Sequence, residues 1–249
     1  MSIDRSLVTI APKSFPAYKQ AVLESGSTLS PLGANVGALI WTDYSDPKGL
    51  EQTLIENPQL EFVQLPFAGV DAFQNVLHFP VRFACAKGSY REPVAEHALM
   101  LAMALGRVVP ERVRATSWGR KFAASLYDAN ILIVGAGGIT EELVKLLTPF
   151  RCDVTVVRNK AEAFSGATRT VQLAELDDFL PKADWVFLAC SLTENTRNLF
   201  DLERFKKMKE SSYFVNVARG AVVNTTDLVA ALNDGVIAGA GVDVTEPEP

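Results

Sequence analysis

The hydrophobic positions of the chain fall into short β-branched runs that alternate with longer stretches of helical periodicity. In the first part of the chain four such runs predict strands, at residues 8–10, 38–42, 62–65 and 81–84. The helical pattern indicates helices at residues 16–25 and 48–57. Strands that alternate with helices are typical of an α/β domain with a mostly parallel sheet.

A long helical stretch follows and precedes a second series of the same kind. It begins at Pro93, a residue suited to the first turn of a helix, and extends to about Arg107. Asn224, Thr225 and Thr226 are candidate N-caps of the last helix in the second series, and Gly235 is a candidate C-cap. The predicted strands are 131–134, 154–157, 185–189, 213–217 and 239–244, and the predicted helices are 141–148, 173–179, 202–209 and 226–234. We therefore predict two α/β domains, residues 1–92 and 93–249, connected by the long helix.

Composition and charge narrow the class of protein. A hydrophobic fraction of 48% and a charged fraction of 21% are ordinary for a soluble globular protein, and the net charge of −5 argues against a nucleic-acid partner. Cys85, Cys152 and Cys190 lie far apart, so neither a metal site nor a disulfide framework is expected. The N-terminus lacks the pattern of a signal peptide, and the longest apolar run, 98–105, is too short to span a membrane. We expect a cytoplasmic protein without membrane partners.

A glycine-rich turn follows the first strand of the second series. The strand leads directly into Gly135-Ala136-Gly137-Gly138-Ile139-Thr140, and a helix begins there. Gly135 would permit the tight turn, Gly137 would let backbone amides approach a pyrophosphate, and the helix N-terminus favours negative charge. Thr140 stands where the third glycine of such turns usually lies. Strand, turn and helix together predict a Rossmann dinucleotide-binding site.

The end of the next predicted strand bears on which dinucleotide is bound. An acidic residue there would accept from the adenosine ribose hydroxyls of NAD, but this chain has Arg158. Asp153 lies at the opposite end of the strand. An arginine suits a 2′-phosphate, so NADP is favoured and NAD stays open. The same arginine disfavours a methyltransferase, which also needs an acid at this position.

From Val94 to its last residue the chain resembles the D-isomer-specific 2-hydroxyacid dehydrogenases. The most specific piece is Asn216-Val217-Ala218-Arg219-Gly220. The other matching pieces are Val94-Ala95-Glu96-His97, Trp118, the glycine turn, Ala183-Asp184-Trp185-Val186, the segment 191–196 and the segment 243–249. Phe67-Ala68-Gly69-Val70-Asp71 is similar to the family's substrate loop. The resemblance implies an NAD(P)-dependent oxidoreductase that transfers a hydride between the cofactor and a small 2-keto or D-2-hydroxy acid, such as glyoxylate or hydroxypyruvate.

The resemblance also implies roles for particular residues. Arg219 would bind the substrate carboxylate and keto oxygen, Glu248 would raise the pKa of a catalytic histidine, and Ala68 and Gly69 would offer backbone amides to the substrate. Asp243 would hold the nicotinamide carboxamide. The complete set of implied cofactor-binding residues is Gly135, Gly137, Gly138, Ile139, Arg158, Ser191, Leu192, Thr196, Ala218 and Asp243. Ser191 departs from the proline usual at its position, which is expected to loosen that loop.

The family's catalytic histidine lies beyond the glutamate, and the given sequence ends at Pro249. Its two histidines, His78 and His97, do not match the catalytic position. We therefore expect a Rossmann domain lacking its last elements, a flavodoxin-like first domain missing its returning C-terminal helix, and weak or absent turnover. The alternative is a catalytically inactive nucleotide-binding regulatory or interaction protein of the same fold. The family also implies a homodimer, formed through the long helix and the segment after it.

Overall fold

A computed structural model of the chain describes residues 3–119, 122–160 and 162–248. The chain divides into two compact units, one ending at Tyr90 and the other beginning at Arg91. This division lies two residues before the predicted domain boundary. Each unit is an α/β domain with a parallel sheet, as the alternating pattern predicts.

The first unit is built on a five-stranded sheet with the order β2-β1-β3-β4-β5, and all its neighbouring strands are parallel. Its elements are β1 (Asp4–Ala11), α1 (Pro16–Glu24), β2 (Thr28–Leu29), β3 (Val36–Trp41), α2 (Pro47–Glu56), β4 (Phe62–Leu65), a 3-10 helix (Asp71–Val76) and β5 (Arg82–Cys85). This 2-1-3-4-5 order is the flavodoxin-like doubly wound arrangement. Its core is formed where Leu39 and Val63 of the sheet pack with Leu50 of α2, all three of them fully buried.

The second unit contains a six-stranded sheet, again parallel throughout, with the order β11-β10-β9-β6-β7-β8. Its helices are α3 (Arg91–Gly106), α4 (Val109–Arg114), α5 (Gly138–Leu147), α6 (Leu176–Phe179), α7 (Leu202–Lys207) and α8 (Thr225–Asn233). Its strands are β6 (Asn130–Val134), β7 (Asp153–Arg158), β8 (Arg169–Gln172), β9 (Trp185–Leu188), β10 (Tyr213–Asn216) and β11 (Gly239–Val242). The strand order reverses between β6 and β9, which is the Rossmann topology and confirms the predicted fold class.

Most predicted elements of the second unit are confirmed, and the exceptions are short or polar. The first of the three N-cap candidates of α8 is confirmed, since the Asn224 side chain accepts from the Asp227 amide, whereas the C-cap is Asp234 and Gly235 follows it at φ +67°. The helix predicted at residues 173–179 is a 3-10 turn at Leu173–Glu175 followed by the single α-turn of α6. β8 and α4 were not predicted.

The whole of α3 belongs to the second unit, where it packs on the sheet through small residues. Ala95, Ala98 and Ala102 are fully buried, and a Cβ on Gly106 would lie 3.2 Å from the Trp185 ring. Small side chains at this spacing let the helix axis lie close to the strands. Within the described ranges no helix is long and apolar enough to cross a membrane, and no group of acidic, cysteine or histidine side chains could hold a metal ion.

Candidate cofactor and active site

The carboxyl ends of the strands in the second unit form one edge, at which most of the predicted site residues lie. Because every pair of strands is parallel, the strand ends that carry these residues lie on the same side of the sheet. The residues are Arg158, the last residue of β7, and Gly135, Arg219 and Asp243, which follow β6, β10 and β11. In open parallel sheets, ligands bind at this edge where the strand order reverses. Here the reversal places the β6 turn next to the loop that follows β9.

The glycine-rich turn has the geometry that a phosphate site requires. Gly135 adopts φ +119°, and a Cβ there would lie 2.5 Å from the Ala189 carbonyl carbon and 2.7 Å from the Cys190 amide nitrogen. Gly137 is the N-cap of α5, and no atom of the described residues lies within 4 Å of its Cβ position. The first glycine is therefore required by the protein's own backbone. The space beside Gly137 fits a phosphate group approaching the amides at the start of α5.

Thr140 has a local role that accounts for the departure from a third glycine. Its side chain is fully buried, and its hydroxyl donates to the Gly135 carbonyl oxygen at 3.0 Å. This bond ties the first turn of α5 to the strand exit, so the threonine stabilises the turn from the interior side. The side chain is directed into the domain and not toward the open edge.

Arg158 is the last residue of β7, as predicted, and Asp153 is the first residue of the same strand. The Arg158 side chain is 22% exposed; its Nη1 donates to the Glu162 carbonyl oxygen at 3.3 Å, and its Nη2 lies 4.0 Å from the Glu162 carboxylate. The guanidinium is thus held beside the cofactor edge by one backbone contact and one loose ion pair. An ion pair of this length contributes little to stability, so it holds the guanidinium only weakly.

The hydroxyl group of Thr196 joins two parts of the loop that follows β9. Thr196 Oγ1 donates to the Ser191 carbonyl oxygen at 2.7 Å and accepts from the Thr193 amide at 2.7 Å. Leu192 packs against the hydrophobic core below the loop. Although Ser191 replaces the expected proline, these bonds supply a local restraint on the loop. Burial beside this loop raises the pKa of the Cys190 thiol to about 11.

Arg219 lies in a loop that the buried Asn216 side chain organises. Asn216 is 1% exposed; its Oδ1 accepts from the Ala218 amide at 3.0 Å, and its Nδ2 donates to the Arg219 carbonyl oxygen at 3.1 Å. Arg219 Nη1 donates to the Ala218 carbonyl oxygen at 2.7 Å. Both polar ends of the amide are therefore used to fix the backbone that carries the arginine. The motif includes Asn216, but sequence reasoning did not assign this role to it.

The segment containing Glu248 is brought to the same loop by a close backbone contact. A Cβ on Gly220 would collide with the carbonyl group of Thr245 and would lie 2.6 Å from the Glu246 amide nitrogen. Thr225 Oγ1 also donates to the Glu246 carbonyl oxygen at 2.7 Å. Glu248 itself is exposed, three residues beyond the point of closest approach. Glycine at position 220 is thus a steric requirement for placing this acidic segment beside Arg219.

Asp243 follows β11 and has a partner that sequence reasoning did not find. Its amide donates to the Asn216 carbonyl oxygen at 2.9 Å, which continues the ladder between β10 and β11. Its Oδ1 lies 3.2 Å from Nε2 of His97 on α3. The two residues are far apart in sequence, and no local pattern predicts the pair.

The predicted substrate loop belongs to the first unit. Ala68 and Gly69 lie between the end of β4 and the following 3-10 helix, and Ala68 is exposed. The loop is anchored by Phe67, whose carbonyl oxygen accepts from the Ala86 amide at 3.0 Å and whose ring contacts Phe73 with centroids 5.2 Å apart. The loop thus lies at the carboxyl edge of its own sheet, and its contact with substrate stays a prediction.

Comparison with known proteins places the chain in a family. The chain is 32% identical over 221 residues to a glyoxylate reductase of Pyrococcus furiosus, covering 80% of this chain and 64% of the relative. It is 28% identical over 228 residues to a human glyoxylate reductase/hydroxypyruvate reductase, covering 87% and 69%. The chain thus spans about two thirds of the length of these relatives.

A solved structure shares the fold over almost the whole chain. A D-isomer specific 2-hydroxyacid dehydrogenase from Xanthobacter autotrophicus Py2, solved with NADPH and MES, superimposes with a TM-score of 0.82 at 24% identity, covering 98% of this chain and 81% of that one. The family model for the NAD-binding domain of D-isomer specific 2-hydroxyacid dehydrogenases matches residues 97–249, which is more than half of the chain. The chain therefore belongs to the D-isomer specific 2-hydroxyacid dehydrogenase family.

Proposed function

We propose that the protein is an oxidoreductase that transfers a hydride between a nicotinamide cofactor and a small 2-keto or D-2-hydroxy acid. The observation that carries the proposal is the common edge of the second sheet, which gathers the phosphate turn at Gly135, the ordered arginine Arg219 and the carboxylate of Asp243. A bound nicotinamide supplies or accepts the hydride. The protein's residues bind the two partners and orient them.

Arg219 is assigned to the substrate. A planar guanidinium can donate in parallel to a carboxylate and to the adjacent keto oxygen, which both orients the acid and stabilises charge that develops on that oxygen. The Asn216 amide fixes the Arg219 backbone before substrate arrives, which reduces the entropy lost on binding. Glu248 is proposed as the acid that acts with a histidine, and its role stays a prediction.

We assign the dinucleotide to the turn and to Arg158, with NADP preferred over NAD. Arg158 ends the strand at which the adenosine ribose binds in this topology, and its ion pair with Glu162 is long enough to yield to a 2′-phosphate. The test is titration of the parent and of Arg158→Asp with NADPH and NADH, followed by nicotinamide fluorescence. The parent should prefer NADPH and the variant should lose that preference. Equal affinity of the parent for both cofactors would contradict the assignment.

The substrate class is proposed from the chemistry of Arg219 and from the names of the relatives. Glyoxylate and hydroxypyruvate both carry a carboxylate beside a carbonyl group, which is what a bidentate guanidinium recognises. Oxidation of NADPH and NADH is measured with each acid, and Arg219→Lys serves as the matched variant that keeps the charge but loses the planar fork. Reduction by the parent with a large loss in the variant supports the proposal.

The proton donor is not among the residues assigned. His97 contacts Asp243 and His78 belongs to the first unit, and neither is assigned the role of proton donor. The alternative, a nucleotide-binding regulator, uses the same cofactor residues. It is favoured if the dinucleotide binds tightly and neither acid is reduced at any concentration. Reduction at ordinary dehydrogenase rates excludes it.

We further propose a homodimer formed by the second unit. Trp118 is fully exposed, and it lies beside a groove of about 1180 Å³ to which Phe122 also contributes. Val113 and Met103 are exposed on the two preceding helices. Apolar exposure on this scale is typical of an interaction surface. Light scattering should give a dimer for the parent and a shift toward monomer for Trp118→Ala.

A further inference from the structure

His97 lies on a helix whose position on the sheet is fixed by packing. A Cβ added to Gly239 would lie 3.5 Å from Leu105 Cδ2, and one added to Gly241 would lie 3.2 Å from Leu101 Cβ. Two residues further along the strand and four residues back along the helix, Asp243 Oδ1 lies 3.2 Å from His97 Nε2. Three contacts therefore follow one another along β11 and α3.

The spacing of these contacts follows from the geometry of the two elements. Four residues of an α-helix rise about 6 Å, and two residues of a strand rise about 6.6 Å. Steps of four along α3 thus stay in register with steps of two along β11. The two glycines provide the close approach of helix and strand, so the position of His97 over the strand end is set by the fold. It does not depend on a flexible side-chain contact alone.

We propose that His97 is a positioning residue that orients the Asp243 carboxylate toward the nicotinamide carboxamide. The inference rests on the proposed function, in which Asp243 holds that carboxamide. The Nε2 atom of His97 lies 3.2 Å from Oδ1, so the imidazole contacts one oxygen of the carboxylate and restrains its orientation. A carboxylate can accept several hydrogen bonds, so Oδ2 accepts from the amide group of the nicotinamide while Oδ1 is held.

The proposal predicts that His97 affects binding of the nicotinamide half of the cofactor and not binding of the adenosine half. The phosphate turn at Gly135 and Arg158 bind the adenosine half, and His97 is not part of either. Removing the imidazole should therefore weaken binding of the intact dinucleotide and leave binding of a fragment without nicotinamide unchanged. Both partners are partly exposed, His97 at 39% and Asp243 at 46% of the side chain, so the expected loss is moderate, about five-fold.

The test uses the full chain and four proteins: parent, His97→Ala, His97→Gln and His78→Ala. Dissociation constants are measured for NADPH and NADH by fluorescence, and for 2′-phospho-ADP-ribose and ADP-ribose by calorimetry. His97→Ala should lose about five-fold for the dinucleotides and less than about two-fold for the fragments. His97→Gln keeps an N–H donor at similar reach and should recover most of the loss. His78→Ala, in the first unit, should match the parent.

Each other outcome has a defined meaning. An equal loss for dinucleotides and fragments would show that His97 only supports the fold, and unchanged constants for all ligands would show that the contact orients nothing; either result overturns the inference. Failure of His97→Gln to recover binding would also count against it. A parent that binds neither fragment would overturn the proposed function, and this inference would fall with it. A parent that binds both dinucleotides and fragments, with a His97→Ala variant that binds the dinucleotides as tightly as the parent, would contradict the inference alone.

Discussion

Replacing Gly135 by alanine is the most direct test of how the phosphate turn is built. Gly135 lies at φ +119°, a region that L-residues with a Cβ rarely adopt, and the added methyl group would meet the Ala189 carbonyl group and the Cys190 amide. The residue continues the strand ladder through a 2.9 Å bond from its amide to the Val157 carbonyl oxygen. The turn therefore cannot rotate to relieve the strain without breaking that bond.

The magnitude follows from two separate terms. A non-glycine residue held in this backbone region costs about 1–3 kcal/mol. Forcing a methyl group to 2.5 Å from a backbone carbon in a well-packed region costs about 1–3 kcal/mol more, because the β9 loop must move. We expect Gly135→Ala to lower the free energy of unfolding by about 2–6 kcal/mol in total. That is a large share of the stability of an ordinary domain.

Gly137→Ala is the matched control, because its backbone and surroundings accept a Cβ. Its φ is −99°, and no described atom lies within 4 Å of the new methyl group. Its stability should stay within about 1 kcal/mol of the parent, whereas its affinity for NADPH should fall because the methyl group enters the space of the phosphate. Urea unfolding followed by circular dichroism gives the first quantity, and fluorescence titration the second. A Gly135→Ala protein as stable as the parent would refute the reasoning, as would a Gly137→Ala protein with unchanged affinity.

Two further predictions concern titratable groups. Burial acts to raise the pKa of Asp184, but hydrogen bonds from Lys209 and Asn130 outweigh it and hold the pKa below the ordinary 3.8. Because the folded-state pKa is depressed, the stabilisation is complete above the ordinary value and is lost as the pH falls through the lower folded value. Asp184→Asn should therefore be less stable than the parent at neutral pH in urea unfolding, with the difference shrinking below about pH 4; a constant difference would contradict this. Burial also raises the pKa of Cys152 and Cys190 to about 11. Both thiols should therefore react slowly with iodoacetamide at about pH 8 in the folded protein and rapidly in urea. Mass spectrometry of the labelled peptides measures both rates.

The fold was predictable to the extent that its strands are buried on both faces. β9 and β10 are buried at every position, so their sequences are short continuous apolar runs. β8 was missed because it is an edge strand in which Val171 alone is buried. The single-turn helix α6 was predicted as part of a longer helix, since periodicity cannot separate a 3-10 turn from an α-turn over so few residues.

The site was predictable where its residues follow strand ends, and less so where its geometry depends on packing. Gly135, Arg158 and Asp243 could be placed because parallel strands end at one edge. The contact between His97 and Asp243 depends on the register of α3 on β11, which the spacing of small residues permits but does not specify. The Asn216 bonds depend on a loop conformation that only the folded chain defines.

Thr140 offers a last test of whether a departure from a sequence pattern weakens the site. Its hydroxyl bond to the Gly135 carbonyl oxygen is worth about 1 kcal/mol, its buried methyl group about 1 kcal/mol, and glycine in a helix costs about 1 kcal/mol relative to alanine. Thr140→Gly, which restores the usual pattern, should therefore lose about 2–3 kcal/mol of unfolding free energy, and Thr140→Ser, which keeps the hydroxyl, about 1 kcal/mol. Because the side chain is buried on the interior side of the turn, NADPH affinity should change less than about two-fold in Thr140→Ser. A Thr140→Gly protein that is as stable as the parent, or that binds NADPH several-fold more tightly, would show that the third glycine position serves the ligand in this chain and not the packing of the turn.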